Sequence, residues 1–469
     1  MNRYKKLLNN SLIFAVGNFG SKIISLLMVP LYTFVLSTQQ YGVVDLLTTT
    51  VSLFVPLISL SIGESVIRYT MDAHHLPKEQ NRVLTNAIVV NLISTAIALF
   101  ILPILMFYGV FGKLLPYFFL LMVVTQFQIT ISQFVRGVGL VKAFAINGLL
   151  MTAVTAGMNI LLLVNLSMGL TGYMLSLIFA NIFSILYLGI VSNLFKRIKI
   201  YFFDSKLLKK MSQYSVPLIP NTIMWWLINS STRYLILLFI GTSSNGLFAV
   251  ANKIPAILTM FTAIFQQAWQ LSAFEEYNSK GKDAFFSKTM EAYYQFLFLS
   301  TSFLIPFLQP IVPRIVGESF KESWQIIPFL LLAVCYQSLS SFIGTNYTAA
   351  MHTKGVFTSS IIGAVLSVLI NIILIPIVGL TGAGIGTAIS FLIIFIIRYI
   401  DTKKFIDMKI SYKKFAIGSG IIVIQIIFSK IIFNKGLLFT CTFLLFVILL
   451  LFTLFWNRPL LKRLISKIR

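Results

Sequence analysis

The chain has 469 residues, 58% of them hydrophobic and 11% charged, with a formal net charge of +24. A soluble domain is about 45–50% apolar and 25% charged, so the composition excludes an ordinary soluble protein and points to an integral membrane protein. The basic excess would also suit nucleic acid, but its placement between apolar runs argues against that partner.

Apolar runs of about 20 residues or more predict about fourteen transmembrane helices and no strands. The Asn2-Arg-Tyr-Lys-Lys6 start leads into an apolar run too long for a signal peptide, with no small-residue cleavage pattern, so no cleavable signal is expected. The first span, roughly 10–36, places Ser11, Asn18, Lys22 and Ser25 within a narrow arc at about 100° per residue. Lys22 falls near the bilayer centre, where a charge costs about 2.5–3.5 kcal/mol. It is a cavity candidate, against a structural partner or an interfacial snorkel. The second span, roughly 42–67, carries Asp45 near one end, read as a surface residue. At its other end Glu64 and Arg68 are spaced for an i,i+4 pair. A third span covers roughly 84–108 and a fourth roughly 114–135, where Gln126, Thr130 and Gln133 share a face. The fifth and sixth, roughly 143–165 and 170–193, precede a basic linker from Lys196 to Lys210.

The seventh span, roughly 213–240, steps Asn221, Trp225, Asn229 and Arg233 down one side. The eighth, roughly 246–272, holds Lys253 two residues before Pro255, and then Gln266, Gln267, Trp269 and Gln270. Arg233 and Lys253 join Lys22 as cavity candidates, with Asn18, Asn229, Gln126, Gln133 and Gln267 as polar lining. Such amides suit sugar hydroxyls, and equally plain hydrogen bonding between helices. Six further spans follow at roughly 289–312, 324–350, 356–378, 381–400, 415–433 and 437–457. Prolines recur within the spans and predict kinks.

With both termini cytoplasmic, most of the 37 lysines and arginines, Lys354 and Arg398 among them, fall on inside segments. Lys113, Arg314, Lys321, Lys430 and Lys435 fall outside, which satisfies the positive-inside rule. Most of the basic charge is therefore read as topology and contact with anionic lipid.

The chain also contains itself twice. Gly169-Leu-Thr-Gly172 recurs 210 positions on as Gly379-Leu-Thr-Gly382, and Lys142 and Asn159 recur 212 positions on as Lys354 and Asn371. Thr38-Gln-Gln-Tyr-Gly42 aligns with Thr242-Ser-Ser-Asn-Gly246 at 204. Such a repeat predicts two six-helix lobes, 1–198 and 199–404, related by a pseudo-two-fold along the membrane normal, with a two-helix annex at 405–469. The charges do not repeat: Lys22 aligns with Trp226, Arg233 with Val29 and Lys253 with Thr49.

No carboxylate is expected deep in a span, so the intramembrane charge is net positive and selects an anion. A diphosphate offers two or more charges and several acceptor oxygens to Lys and Arg donors. Cys335 and Cys441 lie in apolar runs, His74, His75 and His352 in loops, and neither a Walker A motif nor HExxH occurs. No catalytic residue, metal site or cofactor is expected.

The six-plus-six-plus-two plan, the opening Asn10-Ser-Leu-Ile-Phe-Ala-Val-Gly-Asn-Phe-Gly20, Pro30-Leu-Tyr32, Gln40-Tyr-Gly-Val-Val-Asp45 and the paired GLTG turns resemble the polysaccharide-transporter branch of the multidrug/oligosaccharidyl-lipid/polysaccharide (MOP) exporter superfamily. The resemblance implies a Wzx-type flippase, a secondary transporter rather than an enzyme. It would move undecaprenyl-diphosphate-linked oligosaccharide across a bacterial cytoplasmic membrane for capsule, O-antigen or exopolysaccharide synthesis. Its implied partners are that substrate, membrane lipids and polysaccharide polymerase machinery, with a monomer as the working form. Related lipid II flippases hold the diphosphate with basic cavity residues, and Lys22, Arg233 and Lys253 are the nearest candidates here. Two other classes stay open. A cation-coupled drug exporter of the same superfamily would need a buried carboxylate. A membrane polysaccharide polymerase or glycosyltransferase would need a large outer loop carrying catalytic groups, and the loops here are short.

Overall fold

Every regular element is a helix in the computed structural model, which describes residues 3–73, 76–107 and 112–458, with side chains described from Phe19 onward except at 104–107 and 353. The first helices are α1 (Arg3–Val35), α2 (Thr38–Ile58), α3 (Ile62–Asp72), α4 (Pro77–Phe107), α5 (Leu115–Gly137), α6 (Val141–Asn159) and α7 (Gly169–Val191). A short α8 (Leu194–Arg197) and α9 (Ser205–Ser215) follow. Then come α10 (Ile219–Phe239), α11 (Thr242–Ala251), α12 (Lys253–Glu276), α13 (Lys282–Ile315) and α14 (Ile327–Ala349). The chain closes with α15 (Thr353–Val378), α16 (Leu380–Thr402), α17 (Tyr412–Ile431) and α18 (Lys435–Trp456).

Among the described residues, 11 helices are long and apolar enough to cross a membrane, or 12 when the bent pair α11 and α12 counts as one. The described apolar part of α1, Phe19–Val35, is shorter, and α10 is diluted by Asn221, Asn229 and Arg233. With these two, each expected span is occupied by a helix, and the protein is a multi-pass membrane protein.

Two expected spans are broken. The second stops at Ile58 and restarts at Ile62, with Leu60 and Ser61 in the left-handed region at φ 53° and 50°. Pro56 lacks an N–H for the helix ladder. The loose carbonyls are recovered locally: the Ser59 hydroxyl donates to Val55 O at 2.7 Å, and Ser61 N–H donates to Pro56 O at 2.7 Å. The eighth span bends by 44° between α11 and α12. Pro255 removes the bond to the carbonyl of Ala251, four residues back, where α11 ends.

By internal contacts the chain divides into Met1–Ser230 and Ser231–Arg469, a boundary inside α10. In the first unit, Ile62, Leu84, Phe134 and Met211 form one buried cluster, and Leu47, Val51, Leu115 and Met174 another. Met211 draws α9 onto α3 and α4, so the basic linker is structured. Asn86, fully buried, clamps its start: its amide donates to Asp204 O at 3.0 Å and accepts from Asp204 N–H at 3.1 Å. Asp204 in turn caps α9, accepting from the N–H groups of Lys206 and Leu207. In the second unit, Trp269 stacks on Phe342 at 4.1 Å and Phe265 on Tyr293 at 4.0 Å.

The repeat holds at backbone level. Helices α1 and α10 end 204 residues apart, and α2 and α11 begin 204 apart. Gly169 and Gly379 both turn with positive φ, 54° and 68°, open to glycine at no steric cost. Gly382 leaves no room for a Cβ against the Leu374 carbonyl of the preceding helix, and Gly172 leaves only a tight fit against Leu162 O at 3.1 Å. The first copy carries two more residues between asparagine and turn. They are absorbed by a wide π-helical turn over Ile160–Asn165, where α15 instead runs unbroken to Val378.

Candidate functional site

Lys22 is exposed on α1. Two residues earlier, Gly20 lets α1 approach Leu149 of α6 closely, which fixes the helix beside the lysine. Ser25 donates to Ser21 O at 2.9 Å, a bond within its own helix. The side chain of Asn18 lies outside the described residues.

The stripe on α10 is open. Asn221, Trp225 and Asn229 are exposed and Arg233 is half-buried, whereas the neighbouring Trp226 donates its indole N–H to Thr49 O of α2 at 3.0 Å. The Asn229 amide donates to Trp225 O at 2.8 Å. The Arg233 guanidinium lies 5.9 Å from the ring centre of Phe248 in α11, a cation–π distance. Asn252 ties back to the same residue, donating to Phe248 O at 2.7 Å. Half-buried Lys253 opens α12 immediately past that bend. Arg233 and Lys253 thus belong to one corner of the second unit, while Lys22 and Asn229 belong to the first.

Gln126 lines no open space. It is 1% exposed and committed to α4, donating to Asn91 O at 3.3 Å and Thr95 Oγ1 at 2.7 Å and accepting from Ser94 at 3.1 Å. Asn91 answers by donating to Thr130 Oγ1 at 2.8 Å. This is the interhelical use of a buried amide, and it replaces the expected cavity role. Gln133 is half-buried, with an Oε1 that has no hydrogen-bond partner. Gln267 and Gln270 are exposed on α12, whereas Gln266 is held by Ser341 O and Thr345 Oγ1, and Trp269 by Phe342 O.

One acidic expectation is corrected. Arg68 pairs with Asp72 at 3.2 Å, toward the end of α3, rather than with Glu64. Asp45 is half-buried in α2. A cavity of about 420 Å³ lies within the first unit, lined by Thr48, Ser52, Thr125, Gln128 and Asn181. The Asn181 Oδ1 has no protein partner.

The sequence matches a family of polysaccharide biosynthesis proteins over residues 7–269, more than half of the chain. The chain belongs to this family. A search of curated proteins finds no match. Among solved structures, the fold is similar to the lipid II flippase MurJ in an inward closed conformation, at 15% identity and a TM-score of 0.70, covering 96% of this chain and 100% of that one. It is also similar to an inward-facing multidrug resistance MATE family transporter of the MOP superfamily, at 14% identity and TM-score 0.65, covering 82% and 94%. A MOP superfamily transporter from Pyrococcus furiosus gives 13% identity and TM-score 0.58, covering 85% and 94%. At such identities the likeness is one of fold.

Sequence reasoning missed two clusters in this polysaccharide biosynthesis protein. Tyr32, Tyr41 and Tyr173 meet in the first unit, with ring centres 4.9–6.5 Å apart. Asn159, the repeat's own asparagine, donates to Tyr32 OH at 3.1 Å and accepts from Ser176 at 2.8 Å. The shared asparagine was the signal, since Asn371 in the second unit is likewise buried and donates to Thr232 Oγ1 at 3.4 Å. The second cluster surrounds Arg398, placed by sequence on an inside segment at the end of the twelfth span but only 5% exposed within α16. It donates to Ser359 Oγ, Ser360 Oγ and Ser340 O at 3.0–3.2 Å, tying α16 to α15 and α14. The serine pair on α15 was the available sign.

Proposed function

We propose that the protein is a flippase that moves an undecaprenyl-diphosphate-linked oligosaccharide across the cytoplasmic membrane of a bacterium by alternating access. The observation that carries this reading is three cations, Lys22, Arg233 and Lys253, on apolar helices of a flippase-like fold in a polysaccharide-biosynthesis family. Lysine and arginine donors suit a diphosphate, while exposed Asn229, Gln267 and Trp225 suit sugar hydroxyls and ring faces. The undecaprenyl tail stays in lipid while the headgroup crosses, so the chain need not envelop it. Transport requires no bond-making, which fits a site of cations and amides. The two lobes at 1–198 and 199–404 with their annex are the proposed moving parts.

The test is complementation of an export-deficient strain with Lys22→Ala, Arg233→Ala and Lys253→Ala variants. Export falls in at least one of them at normal protein level. Wild-type export from all three sinks the cationic path.

A second reading, a cation-coupled exporter, is favoured by one observation, the half-buried Asp45 of α2. It predicts that Asp45→Asn abolishes transport and that a protonophore or sodium removal does the same to the wild type. Under the flippase reading, headgroup binding survives Asp45→Asn.

A further inference from the structure

Four of the five cations expected on the outer side, Arg314, Lys321, Lys430 and Lys435, gather at one end of the second unit. Two adjoining cavities there, of about 360 and 310 Å³, share Gln309, Pro313 and Lys435. The walls come from the end of α13, the turn before α14, and the α17–α18 turn, so the two-helix annex supplies half of the site.

Its charge is arranged at a cost that folding alone does not require. The positive-inside rule depletes this side of lysine and arginine, yet they collect here. Lys430 is half-buried, donating to Gln325 Oε1 at 3.3 Å, with the Phe329 ring 5.8 Å away and the Glu322 carboxylate as its nearby counter-charge. Lys435 occupies the first turn of α18, where the helix dipole is already positive and a cation is unfavourable without an anion beside it. The acids only partly balance the group: Glu318 pairs with Lys321 at 2.5 Å, and Glu322 lines the larger cavity. Trp324 adds an apolar ring face to that cavity.

We infer that this cluster is a second binding site, for the diphosphate headgroup of a polyprenyl lipid on the outer side, with Lys430, Lys435 and Arg314 as donors and Trp324 against the first sugar. The inference rests on the flippase reading for its orientation and ligand, and gives the path an exit station distinct from the Lys22, Arg233 and Lys253 path. A bilayer phospholipid and a free anion share the phosphate chemistry, and the experiment separates them.

The full-length protein carrying Lys22→Ala, Arg233→Ala and Lys253→Ala is titrated with undecaprenyl diphosphate by native mass spectrometry, with and without Lys435→Glu. Lys435 is exposed, so its replacement leaves the packing intact. Binding persists in the triple variant and weakens about tenfold on adding Lys435→Glu. A Lys430→Ala, Arg314→Ala pair gives the same loss. Unchanged binding in both overturns the site. Equal binding of phosphatidylglycerol assigns the cluster to bilayer lipid, and equal binding of inorganic pyrophosphate assigns it to a free anion; either overturns the inference. The flippase reading fails separately, by wild-type export in the complementation assay.

Discussion

A methyl group at Gly382 would meet the carbonyl of Leu374, a backbone atom that moves only with α15. At Gly172 the nearest atoms are the Met168 and Leu162 side chains and Leu162 O, at 3.0–3.2 Å, and the adjoining π-helical turn can yield. Gly382→Ala is therefore expected to cost about 1–3 kcal/mol and Gly172→Ala less, read as the difference in thermal midpoint of the purified protein. Equal losses would mean that the extra turn has no slack. The buried amides make a complementary case. Gln126→Leu removes the acceptor of Ser94 and the donor to Thr95 Oγ1 and is expected to cost about 1–2 kcal/mol, while export per folded molecule stays unchanged. A loss of export at full stability would return Gln126 to the substrate path.

At the scale of elements, proline position decides where spans break, and capping decides where the linker is held. The Asp204 carboxyl is held below its ordinary range, first by the Leu207 N–H, then by the Lys206 N–H and the nearby Arg82 and Lys206 charges. A carboxylate with a lowered native value stabilises above its unfolded pKa, and that stabilisation is lost as pH falls through the native one. Docking of α9 should accordingly loosen below about pH 4. In Asp204→Asn the amide still caps the helix but cannot titrate. Limited proteolysis of the linker should show acid-dependent cleavage in the wild type and none of that dependence in the variant. Identical pH profiles would show that another group holds the linker.

For the whole molecule, the charge distribution predicts an orientation. The turns at the two ends of the second unit differ: Asp407 and Lys409 of the α16–α17 turn bond to the start of α13, while Lys430 meets Gln325 at the opposite end. Reporter fusions after Lys409 should be active in the cytoplasm, and fusions at Asn434 should be active outside. The reverse pattern would invert the topology and turn the Arg314–Lys435 cluster into an inner-face site.

The all-helical membrane class, the order of the apolar helices and the internal repeat were legible in the sequence, because apolar length and a recurring glycine turn are local properties of the chain. The lobe charges were legible too, as an asymmetry between aligned copies. What only the tertiary structure decided is which polar side chains are already taken. Gln126 and Gln133 share one helix face in sequence, yet Asn91, 35 residues away, claims the first and leaves the second half-buried. Arg398 sits one turn from a helix end, where snorkelling is easy, but Ser340, Ser359 and Ser360 turn it inward. A hydrogen bond between distant helices leaves no mark in local hydropathy, so burial of a polar residue becomes visible only when its partners arrive.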